Sequence, residues 1–218
     1  MNFNYQKARE LMVQNQLRPN KIKDPQILYL FENTPKENFI SENNKILYSD
    51  LDIDVQNNRG YLKNLHIAQL ISSAEISKEH KILHIGALTG YVTFILANLG
   101  FSIFAIEESQ NLNMELKRNI ENMKLNNVNI VNGTFIDGYE LEAPYDRIII
   151  DNPIKEINER VFNQLNENSG KILMIKKEKS NLNKAFKITK NKEKFSKEYL
   201  FDVFSEYQLF EDKEGFIF

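Results

Sequence analysis

The second half of the chain alternates short apolar runs with amphipathic stretches from Lys81 onward. The runs at 103–106 and 148–150 are continuously apolar, which is typical of strands buried on both faces of a parallel sheet. The stretch 112–123 instead places its apolar residues on one helical face. The pattern predicts, in order, strand 82–85, helix 91–99, strand 102–106, helix 112–123, strands 128–131 and 147–150, helix 161–165 and strand 171–175.

The first part of the chain has helical periodicity instead. Asp24 precedes Pro25, which predicts a helix with an aspartate cap and proline in its first turn, and Thr34-Pro35 ends that helix. A further helix is predicted from about Leu65, and residues 41–63 are expected to be irregular. The apolar face predicted for the first helix comprises Ala8, Leu11, Met12 and Leu17.

The C-terminal region predicts strands at 185–189, 199–204 and 215–218, with no helix between the last two. This arrangement indicates an antiparallel hairpin at the edge of the sheet. Because the chain contains no repeats or low-complexity linker, we expect one α/β domain spanning 1–218. Residues 1–78 would form a helical cap, and residues 79–218 would form the core.

Composition excludes several classes of function. The 218 residues carry a formal net charge of −2, which gives no reason to expect a nucleic acid or an anionic membrane as partner. Cysteine is absent, and the three histidines do not belong to a recognised metal-binding motif, so no metal site is expected. The polar N-terminus and the lack of an apolar run near ~20 residues predict a cytoplasmic protein.

Three features follow the first three predicted strands of the sheet. They are the turn bounded by Gly86 and Gly90, the carboxylate of Glu107, and the segment 132–135. Open α/β sheets bind ligands at the carboxyl ends of their strands, and a carboxylate after the second strand can bind ribose hydroxyls. These positions predict a site for an adenosine cofactor.

Each feature also has a purely structural interpretation. The glycines suit any tight turn, Glu107 and Glu108 suit a helix start, and Asn132-Gly133 is a common turn pair. A nicotinamide dehydrogenase is disfavoured because Gly86 is followed by Ala-Leu-Thr before the next glycine. A phosphate-binding loop is excluded because no Gly-Lys-Ser/Thr occurs.

Collinear motifs along nearly the whole chain resemble those of protein-L-isoaspartate O-methyltransferases. Ala143-Pro-Tyr-Asp146 and the Asn-Gln-Leu-Arg sequence ending at Arg18 are the more specific of them. The C-terminal region is similar to the branch of that family common in alphaproteobacteria. The motifs lie at 12–18, 22–24, 34–39, 48–50, 82–91, 143–148, 164–170, 201–203 and 215–218.

The resemblance implies a Rossmann-like fold with a seven-stranded, mostly parallel sheet. It also implies a monomeric S-adenosylmethionine-dependent enzyme that methylates the isoaspartyl carboxylate of proteins or peptides and so begins their repair. Asp50 would lie on the substrate side. The implied cofactor-binding residues are His84, Gly86, Ala87, Leu88, Gly90 and Tyr91 near the methionine, Glu107 and Glu108 at the ribose, Gly133, Thr134 and Phe135 at the adenine, and Asp151 lining the site.

Several of these positions depart from the family pattern. His84 replaces an acidic residue, Leu88 a glycine, and Thr134 the acidic residue near the adenine; the family's hydroxyl position corresponds to Leu62. These departures predict weakened cofactor binding, and stronger binding in a Leu88→Gly variant. Two alternatives stay open: an inactive family member that binds a peptide or partner, and a methyltransferase with another acceptor, suggested by Asp151-Asn-Pro.

Overall fold

A computed structural model of the chain describes residues 3–40, 46–178 and 181–210. The helices are α1 (Tyr5–Met12), continued by a π-helical turn (Val13–Leu17), α2 (Pro25–Asn33), α3 (Asn64–Ala74), α4 (Tyr91–Leu99), α5 (Gln110–Asn122) and α6 (Glu159–Asn163). The strands are β1 (Ile53–Gln56), β2 (Arg59–Tyr61), β3 (Lys81–Ile85), β4 (Ser102–Ile106), β5 (Val128–Val131), β6 (Arg147–Ile154), β7 (Asn168–Lys176), β8 (Leu182–Asn191) and β9 (Lys194–Phe204). None of the described helices is long and apolar enough to cross a membrane.

Within the described residues, seven strands form one sheet in the order β5-β4-β3-β6-β7-β8-β9. The first five strands in this order, β5, β4, β3, β6 and β7, are parallel to one another. Strands β8 and β9 are antiparallel to their neighbours. The predicted α/β fold, with a mostly parallel sheet and a C-terminal antiparallel hairpin, is confirmed. The hairpin pairs β8 with β9; the predicted strand 215–218 lies outside the described residues.

The continuously apolar strands are buried on both faces, as predicted. Leu83 and Ile85 pack in one cluster, whereas Ile82, which precedes them on β3, packs in another. The second cluster also contains buried residues of α1 to α4, so it joins the N-terminal helices to the sheet. Two apolar layers therefore hold the central strands rigidly and fix the positions of the turns that follow them.

The N-terminal helices begin and end largely where the sequence indicated. The Asp24 carboxylate accepts hydrogen bonds from the Gln26 and Ile27 N–H groups at 2.8 and 3.2 Å, and Pro25 occupies the first helical position. The apolar face predicted for the first helix was wrong at Leu11, which is 47% exposed, while Met12 is buried. Adjacent helical residues project about 100° apart, so Leu11 points outward while Met12 faces the core.

The expectation of an irregular segment over 41–63 was wrong at 53–61, and residues 41–45 lie outside the described residues. Strands β1 and β2 form an antiparallel hairpin joined by Asn57 and Asn58. Both asparagines have positive φ, 50° and 57°, which is the conformation of a two-residue hairpin turn and one that asparagine tolerates well. The Asn-Asn pair between two short runs was therefore a usable signal, masked by the polar residues around it.

The strand predicted at 147–150 was too short, because it continues through Asp151-Asn-Pro153. All three residues belong to β6, whose pairing with β7 shifts register between Ile150 and Ile154. A proline without an N–H donor is accommodated at such an irregularity. The strand consequently continues, with buried polar side chains, to the edge of the sheet where the predicted site lies.

Candidate functional site

The turn between β3 and α4 needs both of its glycines. Gly86 and Gly90 have φ of +85° and +101°, conformations that residues with a Cβ rarely adopt. A Cβ on Gly90 would also lie 2.8 Å from the Leu116 side chain. The Gly86 and Ala87 N–H groups both donate to the Ile106 carbonyl at 3.0 Å, which fastens the turn to the end of β4.

Leu88 lies in the middle of this turn with φ of +51°. The left-handed conformation costs a non-glycine residue roughly 1–2 kcal/mol. The Leu88 side chain is fully buried and belongs to the cluster that joins the N-terminal helices to the sheet. Its packing therefore stabilises a leucine in a strained position, where the family resemblance implies a glycine.

Glu107 follows β4 and is the polar centre of the site. Its side chain has no exposed surface. Its carboxylate accepts hydrogen bonds from the Leu88 and Ser109 N–H groups, both at 2.9 Å. Both of its oxygens also accept from the Arg59 guanidinium, at 2.6 and 2.8 Å. The carboxylate predicted to bind ribose hydroxyls is thus fully engaged within the protein.

Arg59, the first residue of β2, was not identified from the sequence. Its guanidinium carbon lies 5.0 Å from the centre of the Phe135 ring, within cation–π range. The Arg59 side chain also reaches the glycine turn: its Nη2 atom lies 3.4 Å from the position that a Cβ atom on Gly86 would occupy. Arg59 therefore fills the space between the glycine turn, the predicted ribose carboxylate and the predicted adenine-flanking residue.

Residues 205–210, here called the C-terminal strap, cover the same place. The Gln208 N–H donates to the Asn58 carbonyl at 3.2 Å, and the Leu209 N–H donates to the Pro153 carbonyl at 2.9 Å. The Leu209 side chain packs directly on Gly86. The Phe210 ring meets the Phe135 ring edge to face, with centres 5.7 Å apart. The strap thus bridges the β1–β2 hairpin and the end of β6.

Two cavities border this covered region. One of about 220 Å³ is lined in part by Arg59, Ser109 and Leu209. The other, of about 600 Å³, is lined in part by Pro153. Phe135 lines both, so its ring, with those of its neighbours, forms the wall between them.

His84 and Asp151 form a buried pair beneath the turn. The His84 Nδ1 and Thr93 Oγ1 atoms are 2.9 Å apart, and His84 Nε2 is 3.3 Å from Asp151 Oδ1. Both ring nitrogens therefore have internal partners. The structure places these two predicted site residues in the interior, and their proposed contact with a cofactor remains a prediction.

Tyr91 begins α4, and its N–H donates to the Tyr61 hydroxyl at 3.1 Å. The same hydroxyl lies 2.8 Å from Thr89 Oγ1. Tyr61, from β2, therefore caps the helix terminus that was expected to face a ligand. The backbone donors of Gly86, Ala87, Leu88 and Tyr91 are thus all used internally.

The remaining predicted residues are more dispersed. Glu108 is exposed and accepts the Phe135 N–H at 2.5 Å, while exposed Thr134 closes a local turn with Asp137. Gly133 leaves no room for a Cβ beside the Gly138 carbonyl and the Ile106 side chain. Asp50 is an exposed partner of Lys63, and Leu62 is buried in the core.

Leu88→Gly separates backbone strain from packing. Losing the buried leucine side chain should cost about 2–5 kcal/mol, whereas relief of the left-handed strain returns about 1–2 kcal/mol. We expect Leu88→Gly to be less stable than the wild type and more stable than Leu88→Ala, by about 1 kcal/mol, in urea unfolding. If Leu88→Ala were more stable than Leu88→Gly, the claim that the backbone of Leu88 is strained would be contradicted. The expectation that Leu88→Gly strengthens cofactor binding stays a prediction.

Lys36 is completely buried below the site, and its ammonium lies about 5 Å from the rings of Tyr61 and Tyr91. It donates to Asn64 Oδ1 at 3.2 Å. Burial lowers the pKa of Lys36 from 10.5 to about 7, although Asp52 and Asp151 favour its charged form. Between those values the unfolded chain binds the proton and the folded protein does not. The Lys36 contribution to stability is therefore lost as pH falls from 10.5 to about 7.

Lys36→Met removes this titration while keeping a long side chain. We expect the free energy of unfolding of the variant, relative to the wild type, to rise as pH is lowered from about 10 to about 7, by at most about 1.4 kcal/mol per pH unit. Urea unfolding of both proteins across that range measures the difference. A difference that is constant with pH would show that Lys36 keeps its ordinary pKa.

A family model, a curated relative and two solved structures belong to one family. The family model of protein-L-isoaspartate(D-aspartate) O-methyltransferase matches residues 6–205. Protein-L-isoaspartate O-methyltransferase 2 of Pelobacter propionicus is 25% identical over 148 residues, which cover 67% of this chain and 66% of that protein.

Solved structures show the same fold. A protein-L-isoaspartate O-methyltransferase superposes with a TM-score of 0.79 at 23% identity, covering 89% of this chain and 64% of the other. A putative member from Plasmodium falciparum, in complex with S-adenosyl-L-homocysteine, gives a TM-score of 0.76 at 19% identity, covering 96% and 99% of the two chains. The match to the family model confirms the resemblance seen in the sequence, apart from the alphaproteobacterial branch. The chain belongs to the protein-L-isoaspartate (D-aspartate) O-methyltransferase family.

Proposed function

We propose that this protein is an S-adenosylmethionine-dependent methyltransferase that esterifies the isoaspartyl carboxylate of damaged proteins or peptides. The observation that carries the proposal is the position of Glu107. Its buried carboxylate follows β4, beside the glycine turn after β3. In the strand order β4-β3-β6 the chain reverses direction across the sheet at β3, which is where open α/β sheets bind nucleotide-like ligands.

The residues present have the chemistry of an adenosine site, but the cleft is filled as the structure stands. Arg59 occupies both oxygens of Glu107, and Leu209 lies on Gly86. The cavity of about 220 Å³ beside them is smaller than the roughly 300 Å³ of the smallest typical ligand pockets. The cofactor therefore does not fit this arrangement unless these side chains move.

The proposed reaction makes few demands on acid–base groups. S-adenosylmethionine carries an activated methyl group, and a carboxylate is already a nucleophile, so the protein contributes orientation and exclusion of water. Leu62 has no hydroxyl group, and a protein that only orients the reactants and excludes water does not need one there. The isoaspartyl acceptor, a monomeric state, a cytoplasmic location and the division of the domain at residue 78 remain part of the proposal.

Titration calorimetry with S-adenosylhomocysteine, followed by methyl transfer to an isoaspartyl peptide, tests the function. We expect binding and methyl ester formation by the wild type. Glu107→Ala should weaken S-adenosylhomocysteine binding at least tenfold, because the ribose loses its acceptor. Glu121→Ala, which removes an exposed carboxylate at the far end of α5, is the matched control and should bind normally.

Two outcomes would contradict the proposal in different ways. Cofactor binding without turnover of the isoaspartyl peptide would favour another acceptor. No binding of S-adenosylhomocysteine by the wild type or by variants of the covering residues would favour a family member that binds a peptide or partner without catalysis. Thermal unfolding of each variant must show that it is folded.

A further inference from the structure

The geometry points to an internal competitor for the cofactor: Arg59 and the C-terminal strap occupy the ribose side of the cleft and must leave before S-adenosylmethionine binds. This inference rests on the proposed function and adds to it a closed state of the same site. The closed state is held by the protein's own side chains, so Arg59 and Leu209 determine the apparent affinity for the cofactor.

Arg59 imitates what a ribose would do. The guanidinium satisfies both oxygens of Glu107 with charge-assisted hydrogen bonds at 2.6 and 2.8 Å. Ribose hydroxyls would need the same two oxygens, because the other donors to Glu107 are backbone N–H groups of the turn and of the α5 start. Arg59 and the ribose therefore cannot bind Glu107 at the same time.

The strap covers the glycine turn in the same way. Leu209 packs against Gly86, where the protein backbone would have to approach a bound ligand closely. Phe210 and Arg59 both contact Phe135, the predicted adenine neighbour. Arg59 and Leu209 line the cavity of about 220 Å³, and Phe210 lines the cavity of about 600 Å³, so their withdrawal would enlarge the space on both sides of Phe135.

The C-terminal strap is held more weakly than the strands and the turn beneath it. Residues 205–210 form no helix or strand. Their backbone N–H groups make isolated hydrogen bonds, from Ser205 to Asn181, from Gln208 to Asn58 and from Leu209 to Pro153, and the side chains of Asn183, Lys177 and Asn181 donate to the strap. These separate bonds do not form a ladder like the one that fixes Glu107 and the turn to the sheet, so the strap opens at a lower free energy. The strap can therefore move without unfolding the domain.

The closed state also leaves buried polar atoms without partners. Among the described residues, Arg59 Nε and both amide atoms of Asn152 have no hydrogen bond, and Asn152 is 1% exposed. Asn152 precedes Pro153, the residue to which the strap is bonded. Opening would expose these atoms to water or to a ligand, which favours exchange of the closed contacts for others.

The effect on affinity follows from populations. If the closed state accounts for about 99% of the molecules, the apparent Kd for S-adenosylhomocysteine is about 100-fold weaker than that of the open cleft. Substitutions that destabilise only the closed state must therefore tighten binding. A purely structural ion pair would have the opposite effect, because its loss would disturb the site.

Titration calorimetry with S-adenosylhomocysteine on the full chain tests this directly. We expect Arg59→Gln to bind at least tenfold tighter than the wild type, and Leu209→Ala, which keeps the ion pair, to bind several-fold tighter. Arg118→Gln is the matched control because Arg118 is an exposed arginine on α5 that lines a different groove. Its affinity should equal that of the wild type.

A reversible lock tests the need for movement. The chain has no cysteine, and a hydrogen bond joins the backbones of Asn58 and Gln208, so Asn58→Cys with Gln208→Cys places the two thiols of the variant at this contact, and a thiol titration confirms that the oxidised form is bridged. The oxidised double variant should bind S-adenosylhomocysteine at least 100-fold more weakly than the reduced one. Asn58→Cys alone, which cannot form the bond within the chain, should be insensitive to oxidation.

The outcomes separate this inference from the proposed function. If Arg59→Gln and Leu209→Ala leave the binding of S-adenosylhomocysteine unchanged or weaken it, the inference that Arg59 and the strap compete with the cofactor is overturned. The methyltransferase proposal would be unaffected. Equal binding by the oxidised and reduced double variants would overturn the inference of competition as well. If neither the wild type nor any variant binds S-adenosylhomocysteine, both proposals fail. Binding that appears only in the variants supports the competitor, and the isoaspartyl peptide assay on them then tests the function.

Discussion

The buried carboxylate of Glu107 is the interaction on which the organisation of the site depends. It ties three separate parts of the chain together: Leu88 in the glycine turn, Ser109 before α5, and Arg59 in the β1–β2 hairpin. A carboxylate with no exposed surface requires donors for its oxygens, and removing one partner of a buried pair typically costs about 3–5 kcal/mol. The same requirement can be met by a guanidinium or by a ligand's hydroxyl groups. Glu107 thus couples the stability of the hairpin to the state of the cleft.

The strained turn has to be understood in the same terms. Leu88 adopts a left-handed conformation that its side chain opposes, yet its N–H is held by Glu107 and its side chain is fixed in the core. These contacts outweigh the strain because burying a leucine stabilises more than the conformation costs. The departure from glycine has therefore been absorbed by packing, and the obstruction in the cleft comes from Arg59 and Leu209 instead.

Local sequence signals predicted the elements well and the contents of the cleft poorly. The Asp24-Pro25 start and the two-faced apolar strands depend on neighbouring residues, so they could be recognised directly. The glycine turn and Glu107 were placed correctly because parallel strands end at one edge of the sheet. Arg59 lies 48 positions before Glu107 in the sequence, and the β1–β2 hairpin brings the two together. Leu209 belongs to an irregular segment that has no periodic pattern. Neither could be inferred from spacing.

Amide hydrogen exchange with and without S-adenosylhomocysteine tests most directly the claim that the protein's own side chains occupy its cofactor cleft. The account predicts that ligand binding speeds exchange at the Gln208 and Leu209 amides, whose hydrogen bonds to Asn58 and Pro153 would be broken. The Leu88 amide, bonded to Glu107 in the turn, should stay protected. Unchanged or slower exchange at Gln208 and Leu209 in the bound protein would contradict it.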